Sequence, residues 1–159
     1  MKRKFSKDFQ DLYNKITSQR ISWNFIFSYI FFLAAMSLDF YITNVNVQGD
    51  WGMEANYIAR IWSEAMGALR FIEIPIWVFA IFSAAFIVNA YGSFFALLLL
   101  NTSAFNHLIG FMTWMPFGTF DFLYRFPDWA MGFAISILSL FFSLILSSAQ
   151  LFLSKKVNN

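Results

Sequence analysis

The chain has 159 residues, of which 59% are hydrophobic and only 13% charged, with a formal net charge of +2 and no cysteine. A soluble domain carries about a quarter charged residues to keep its surface hydrated, so this composition leaves an apolar surplus that must face lipid, and the mean hydropathy of +0.58 agrees. The missing cysteines exclude disulfides, thiolate metal sites and cysteine nucleophiles.

Six of the 11 Lys and Arg fall in the first twenty residues: Lys2, Arg3, Lys4, Lys7, Lys15 and Arg20. Asp8 and Asp11 interrupt this cluster and a hydrophobic run follows it directly, so no nucleic-acid partner is expected. Phe5, Phe9, Leu12, Tyr13 and Ile16 recur at helical spacing. Two readings of residues 1–20 stay open: an amphipathic helix on the cytoplasmic membrane surface, or a basic tail that fixes topology. The apolar run that follows is too long for a secretory signal and has no small-residue cleavage site, so it is expected to stay as the first transmembrane helix.

That first span covers about residues 21–42 and holds no charge before Asp39; a bilayer core needs about 20 apolar helical residues. Residues 43–70 form an outer loop. It opens with a polar turn containing Asn44, Asn46, Gln48, Gly49, Asp50 and Gly52. From Met53 to Leu69 the spacing predicts an amphipathic interfacial helix, with Asn56, Arg60 and Glu64 on one face.

Between Ile74 and Thr119 there is no formally charged residue, counting His107 as neutral. The stretch is too long for one span and fits two, at about 71–88 and 94–115, broken at Asn89-Ala90-Tyr91-Gly92. Pro75 is expected near the first turn of the second span, where proline is tolerated. Pro116 and Gly118 close the third, and a short loop with Asp121, Arg125, Pro127 and Asp128 leads to a fourth span at about 129–153.

The fold class is therefore all-α: a polytopic bundle of four transmembrane helices plus an interfacial amphipathic helix, with residues 21–154 as one domain. Four spans put both termini on one side with eight Lys and Arg, against Arg60, Arg70 and Arg125 on the other. The positive-inside rule then places both termini in the cytoplasm of a cell membrane. Trp51, Trp62, Trp114 and Trp129 would belong to the outer aromatic belt.

Polar residues inside spans carry the functional question, because lipid cannot satisfy them. In the fourth span Gly132, Ser136, Ser139, Ser143 and Ser147 form a small-residue stripe, which reads as a packing seam. The third span is the most polar: Ser103, Asn106, His107, Gly110 and Trp114 share a face, and His107 is the only histidine. Asp39 lies late in the first span and Glu73 at the same end of the second, so an outer cluster of Asp39, Thr43, Glu54 and Asn56, with Glu73 beside it and His107 below, is expected.

Asp39, Thr43, Gly52, Glu54 and Asn56 stand as D-x-x-x-T followed by G-x-E-x-N in "DFYITNVNVQGDWGMEANYIAR". This pattern resembles the domain-of-unknown-function 5658 proteins, a small prokaryotic membrane family with an Asp and Thr at a helix end followed by G-x-x-E-x-N-P. The match covers about residues 35–60; the glycine spacing differs, and Tyr57 stands where the family has proline. The resemblance implies that these polar residues act as a group.

Three functions compete. Asp39, Glu54 and His107 could hold a divalent cation, and an open position on it would activate water for hydrolysis of a lipid-borne bond. In that case Asp39 and Glu54 are ligands or general base, and His107 is a ligand or proton carrier. Alternatively Thr43, Asn56, Ser103 and Asn106 line a pocket for a small ligand or transported ion. Under the third reading Asp39 and Glu73 pair with Arg60 or Arg70, His107 bonds Ser103 or a neighbouring helix, and the protein is a structural or accessory subunit. Its partners are then the lipid bilayer and other membrane proteins or copies of itself. The sequence contains no HExxH, Walker A, GxGxxG or GxSxG motif.

Overall fold

The structure, a computed structural model, describes residues 2–48, 50, 57–67, 70–114 and 127–157. Among these the chain is helical almost throughout, with α1 (Lys2–Ser18), α2 (Trp23–Val47), α3 (Tyr57–Met66), α4 (Arg70–Asn89), α5 (Ser93–Thr113) and α6 (Asp128–Val157). Three stretches are long and apolar enough to cross a bilayer: Trp23–Val47, Ser93–Thr113 and Ala130–Ser154. They mark the chain as a membrane protein. The apolar stretch of α4, Ile74–Asn89, is shorter.

Local chemistry sets the ends. Ser22 is the N-cap of α2, its hydroxyl accepting from the Phe25 N–H at 3.2 Å. The helix runs on past Ile42, carrying two residues the sequence suggests for the polar turn. The side-chain amides of Asn44 and Asn46 donate to Phe40 O and Ile42 O, each at 2.8 Å, so both residues satisfy their polarity along the helix itself. The end comes at Gln48, which is left-handed (φ 47°) and donates its N–H to Asn44 O. Gly67, also left-handed (φ +50°), follows α3. Helix α4 starts at Arg70, so Pro75 lies inside it rather than in its first turn; neighbouring helices make such a proline tolerable. The chain reverses between Asn89 and Ser93, where Tyr91 and Gly92 donate to Val88 O.

Helix α5 is the centre of the bundle and packs on α2, α4 and α6. Phe25, Ala85, Ala96 and Leu100 form one buried cluster and Phe32, Ala35, Met36 and Ala104 a second, so α2 and α5 run parallel. Gln19 just before α2 meets Asn89 at the end of α4, so α4 runs against α2. A third cluster, Ile109 with Met131 and Ile135, joins the end of α5 to the start of α6. Alanine at four of these contacts lets the backbones approach closely, the device that replaces the hydrophobic effect where the surroundings are lipid. Aromatic rings fill the remaining space: Phe82 stands edge-on to Phe25 and tilted to Tyr29, with centroids 6.1 and 4.9 Å away. Large apolar side chains also cover the outside, among them Phe27 and Ile30 on α2, Phe79 on α4 and Phe133, Phe141 and Phe152 on α6.

Candidate functional site

Asp39 and His107 meet. Residues 23–47, 74–89, 93–113 and 130–154 contain a single acidic side chain and a single histidine, and no Lys or Arg. The parallel packing of α2 on α5 brings these two together, with His107 Nδ1 at 2.9 Å from Asp39 Oδ2. The pair sits at the edge of the second apolar cluster, the His107 ring 6.0 Å from that of Phe32. It is half-open to the surroundings, with side-chain exposures of 36% for His107 and 22% for Asp39. One turn along α5, Gly110 makes room for the carboxylate: a Cβ there would stand 3.0 Å from Asp39 Oδ1 and 3.3 Å from Cγ.

With Asp39 ionised and the imidazole neutral, the contact needs Nδ1–H as donor and leaves the lone pair on Nε2. That arrangement orients an imidazole either to take up a proton or to ligate a metal. Among the described residues no three His, Asp or Glu side chains gather into a metal-binding group. The third expected ligand, Glu54, and the expected ligand-binding Asn56 lie outside the described residues, as does Gly52 of the family-like pattern. The side chains of Arg70 and Glu73 are likewise outside them.

The other candidates separate. Asn106 and His107 were expected on one face with Ser103, but adjacent helical positions point about 100° apart. His107 therefore serves α2 while Asn106 Oδ1 accepts from Ser139 on α6 at 3.4 Å. Ser103 donates to Leu99 O of its own helix at 3.0 Å rather than to His107. Thr43 is half-buried on α2, four residues beyond Asp39. A shallow depression on the described surface at this end is lined by Phe40, Tyr41, Asn44 and Val45.

A second polar centre lies nearer the other end of the bundle. Asn101 Nδ2, fully buried on α5, donates to Ser147 Oγ at 2.9 Å and to Gln150 Oε1 at 3.0 Å on α6. Gln150 Nε2 donates to Ser28 Oγ on α2 at 3.0 Å, and Asn24 Nδ2 donates to Gln150 O at 3.0 Å. Three helices are thus laced by amides and hydroxyls. Sequence reasoning marks Ser147, within the small-residue stripe, but misses Gln150, Ser28 and Asn24. The available signal was spacing: Gln150 follows Ser147 by three and Ser28 follows Asn24 by four, each pair on one helix face. The serine seam of α6 is also corrected. Ser139, Ser143 and Ser147 are fully buried, but the stripe continues to Ile135 and Met131 rather than to Ser136, which is exposed and bonded to Gly132 O.

Comparison with known protein families, with characterised proteins and with solved structures brings no match.

Proposed function

We propose that this chain is a four-span protein of the cell membrane, with both termini cytoplasmic, that works as a structural or accessory subunit of a membrane complex. The observation that carries it is how α5 uses its polar side chains. Asn101, Asn106 and His107 reach out to α2 and α6 in separate hydrogen bonds instead of turning towards one another. Polar contacts of this kind hold membrane helices together. The broad apolar outer faces then serve lipid and neighbouring proteins. Counting α4 as the fourth span is supported by its alignment antiparallel to α2 and its packing on α5. Its 20 residues would extend about 30 Å, the thickness of a bilayer core. The test is native mass spectrometry of the protein extracted in mild detergent. A stoichiometric assembly, with other chains or with copies of itself, is expected; a folded, stable monomer overturns the reading.

A second reading is favoured by the room that Gly110 leaves for the Asp39 carboxylate. Here the Asp39–His107 pair is a binding centre for a divalent cation or another small ligand. In this reading the family-like pattern in residues 39–56 supplies Glu54 as a further ligand and Asn56 as a ligand-binding residue. Its test is the metal content of the purified protein. A stoichiometric metal that disappears in both Asp39→Asn and His107→Ala would establish the centre and direct attention to hydrolytic chemistry or ion transport. A metal-free wild-type protein removes the metal version.

A further inference from the structure

Helix α1 (Lys2–Ser18) combines charge, a one-sided apolar face and a fixed height on the bundle. Phe9, Leu12, Tyr13 and Ile16 follow one another at steps of three, one and three, which makes a single stripe on a helix. Leu12 and Ile16 are half-buried, whereas Phe9 and Tyr13 remain exposed. The end of α1 is tied to the α4–α5 turn by three contacts. Gln19 Nε2 donates to Phe86 O at 2.9 Å, Asn89 Nδ2 donates to Gln19 Oε1 at 3.0 Å, and the Lys15 ammonium lies 5.3 Å from the centre of the Tyr91 ring. The C-terminal end of α1 is thereby held at the level at which α4 ends and α2 and α5 begin. Exposed Trp23 and Tyr91 stand at that level, where aromatic residues prefer the headgroup region. Residues 1–20 carry six Lys and Arg against Asp8 and Asp11, so 6 − 2 gives a net +4.

We propose that α1 is an arm that docks on anionic phospholipid headgroups. The reading rests on the four-span proposal, which puts the bundle itself in the bilayer. The apolar stripe of Phe9 and Tyr13 enters the headgroup boundary, and the basic residues meet the phosphates. Interfacial helices bind in this way, by apolar burial together with attraction to anionic lipid. The charge term decides which lipid: each Lys or Arg close to an anionic surface strengthens attachment roughly fivefold, and salt weakens it within a Debye length.

The experiment uses the full chain reconstituted in vesicles of phosphatidylcholine alone, or of phosphatidylcholine with phosphatidylglycerol. Since the chain lacks cysteine, Phe9→Cys provides a unique point for a nitroxide. Its accessibility to oxygen and to a water-soluble nickel chelate then reports depth. The expected result is a buried label in the phosphatidylglycerol vesicles and a water-exposed one in phosphatidylcholine or at high salt. Adding Lys4→Gln and Lys7→Gln should shift the docked-to-free ratio by about twenty-five-fold. A label equally buried with both lipids and at any salt overturns the anionic preference in favour of plain apolar anchoring. A label exposed in every vesicle overturns docking altogether. Resistance to alkaline carbonate extraction, measured on the same samples, separates these failures from a bundle that never entered the bilayer. A label at Tyr13→Cys repeats the reading should Phe9→Cys disturb folding.

Discussion

Gly110 and Asp39 are coupled through space that only a missing side chain leaves open. A Cβ at position 110 would stand 3.0 and 3.2 Å from the two carboxylate oxygens, closer than side chains normally pack. The carboxylate would have to swing, and the 2.9 Å contact with His107 Nδ1 would move with it. Gly110→Ala is therefore expected to destabilise the bundle by about 1–3 kcal/mol, the usual penalty of overpacking, as read from unfolding in mixed micelles. The same substitution in an Asp39→Ala background should lose most of that penalty, because the clashing group is gone. Equal losses in both backgrounds would mean that Gly110 acts through something other than the carboxylate. At this scale the sequence was partly legible. Asp39 and His107 stood out because charge and imidazole are rare among apolar helices. Their direct contact did not, since it depends on α2 and α5 packing in parallel although they are not consecutive. Ser103 donates to an acceptor one turn back on its own backbone, a local choice that spacing along the sequence does not reveal.

At the scale of the helix, α6 shows how a thirty-residue apolar segment is oriented. It is apolar all round, so hydrophobicity gives no face a preference. Small size and hydrogen bonding choose instead, and Ser139, Ser143 and Ser147 are drawn onto α5 at full burial. Ser143→Leu should cost about 1–3 kcal/mol by forcing the two helices apart. Leu144→Ala, on an adjacent outward-facing position, should stay within about 0.5 kcal/mol. Comparable losses at both positions in a chemical unfolding titration would refute the seam. That α6 is helical, and that it packs through small residues, could be read from composition and spacing. Which end of the stripe turns inward could not: steps of four overshoot each turn of a helix with 3.6 residues per turn by about 40°, and only the position of Ile109 and Met131 on the neighbouring contact fixes the start. Helix α2 teaches the complementary lesson. Asn44 and Asn46 are turn formers by propensity, yet they extend the helix by bonding to carbonyls one turn earlier.

For the whole molecule, the testable quantity is which ends of the helices share a side. The contacts place the start of α2, the end of α4, the start of α5 and the end of α6 together. In the four-span arrangement, single cysteines replacing Lys4 and Lys156 should be labelled by an impermeant thiol reagent only after the cytoplasmic face is opened. Asp50→Cys should label in intact cells. Labelling of position 4 and position 50 from the same side would mean an even number of crossings between them, against the single crossing by α2 that the proposal requires. The helical class and the apolar spans follow from elementary features, length and missing charge, so they were legible at once. The central place of α5 was less so: it emerges from alanines and polar residues distributed over three of its sides, and a linear reading sees them only as interruptions of an apolar run.

The partner of Asp39 is encoded 68 residues further along the chain. At ordinary translation speeds of about 5–20 residues per second, roughly three to fourteen seconds separate the two syntheses. During that interval α2 must enter the membrane with its one acidic side chain unaccompanied, and insertion scales charge about 2.5–3.5 kcal/mol for such a residue at a helix centre. The nascent chain is thus most in need of a holding factor, or of a wet path beside the translocation machinery, before α5 emerges. The contact with His107 can form only once α5 has been made, so loss of His107 is expected to show first as retarded maturation of newly made protein in a pulse-chase measurement, ahead of any change in the finished molecule.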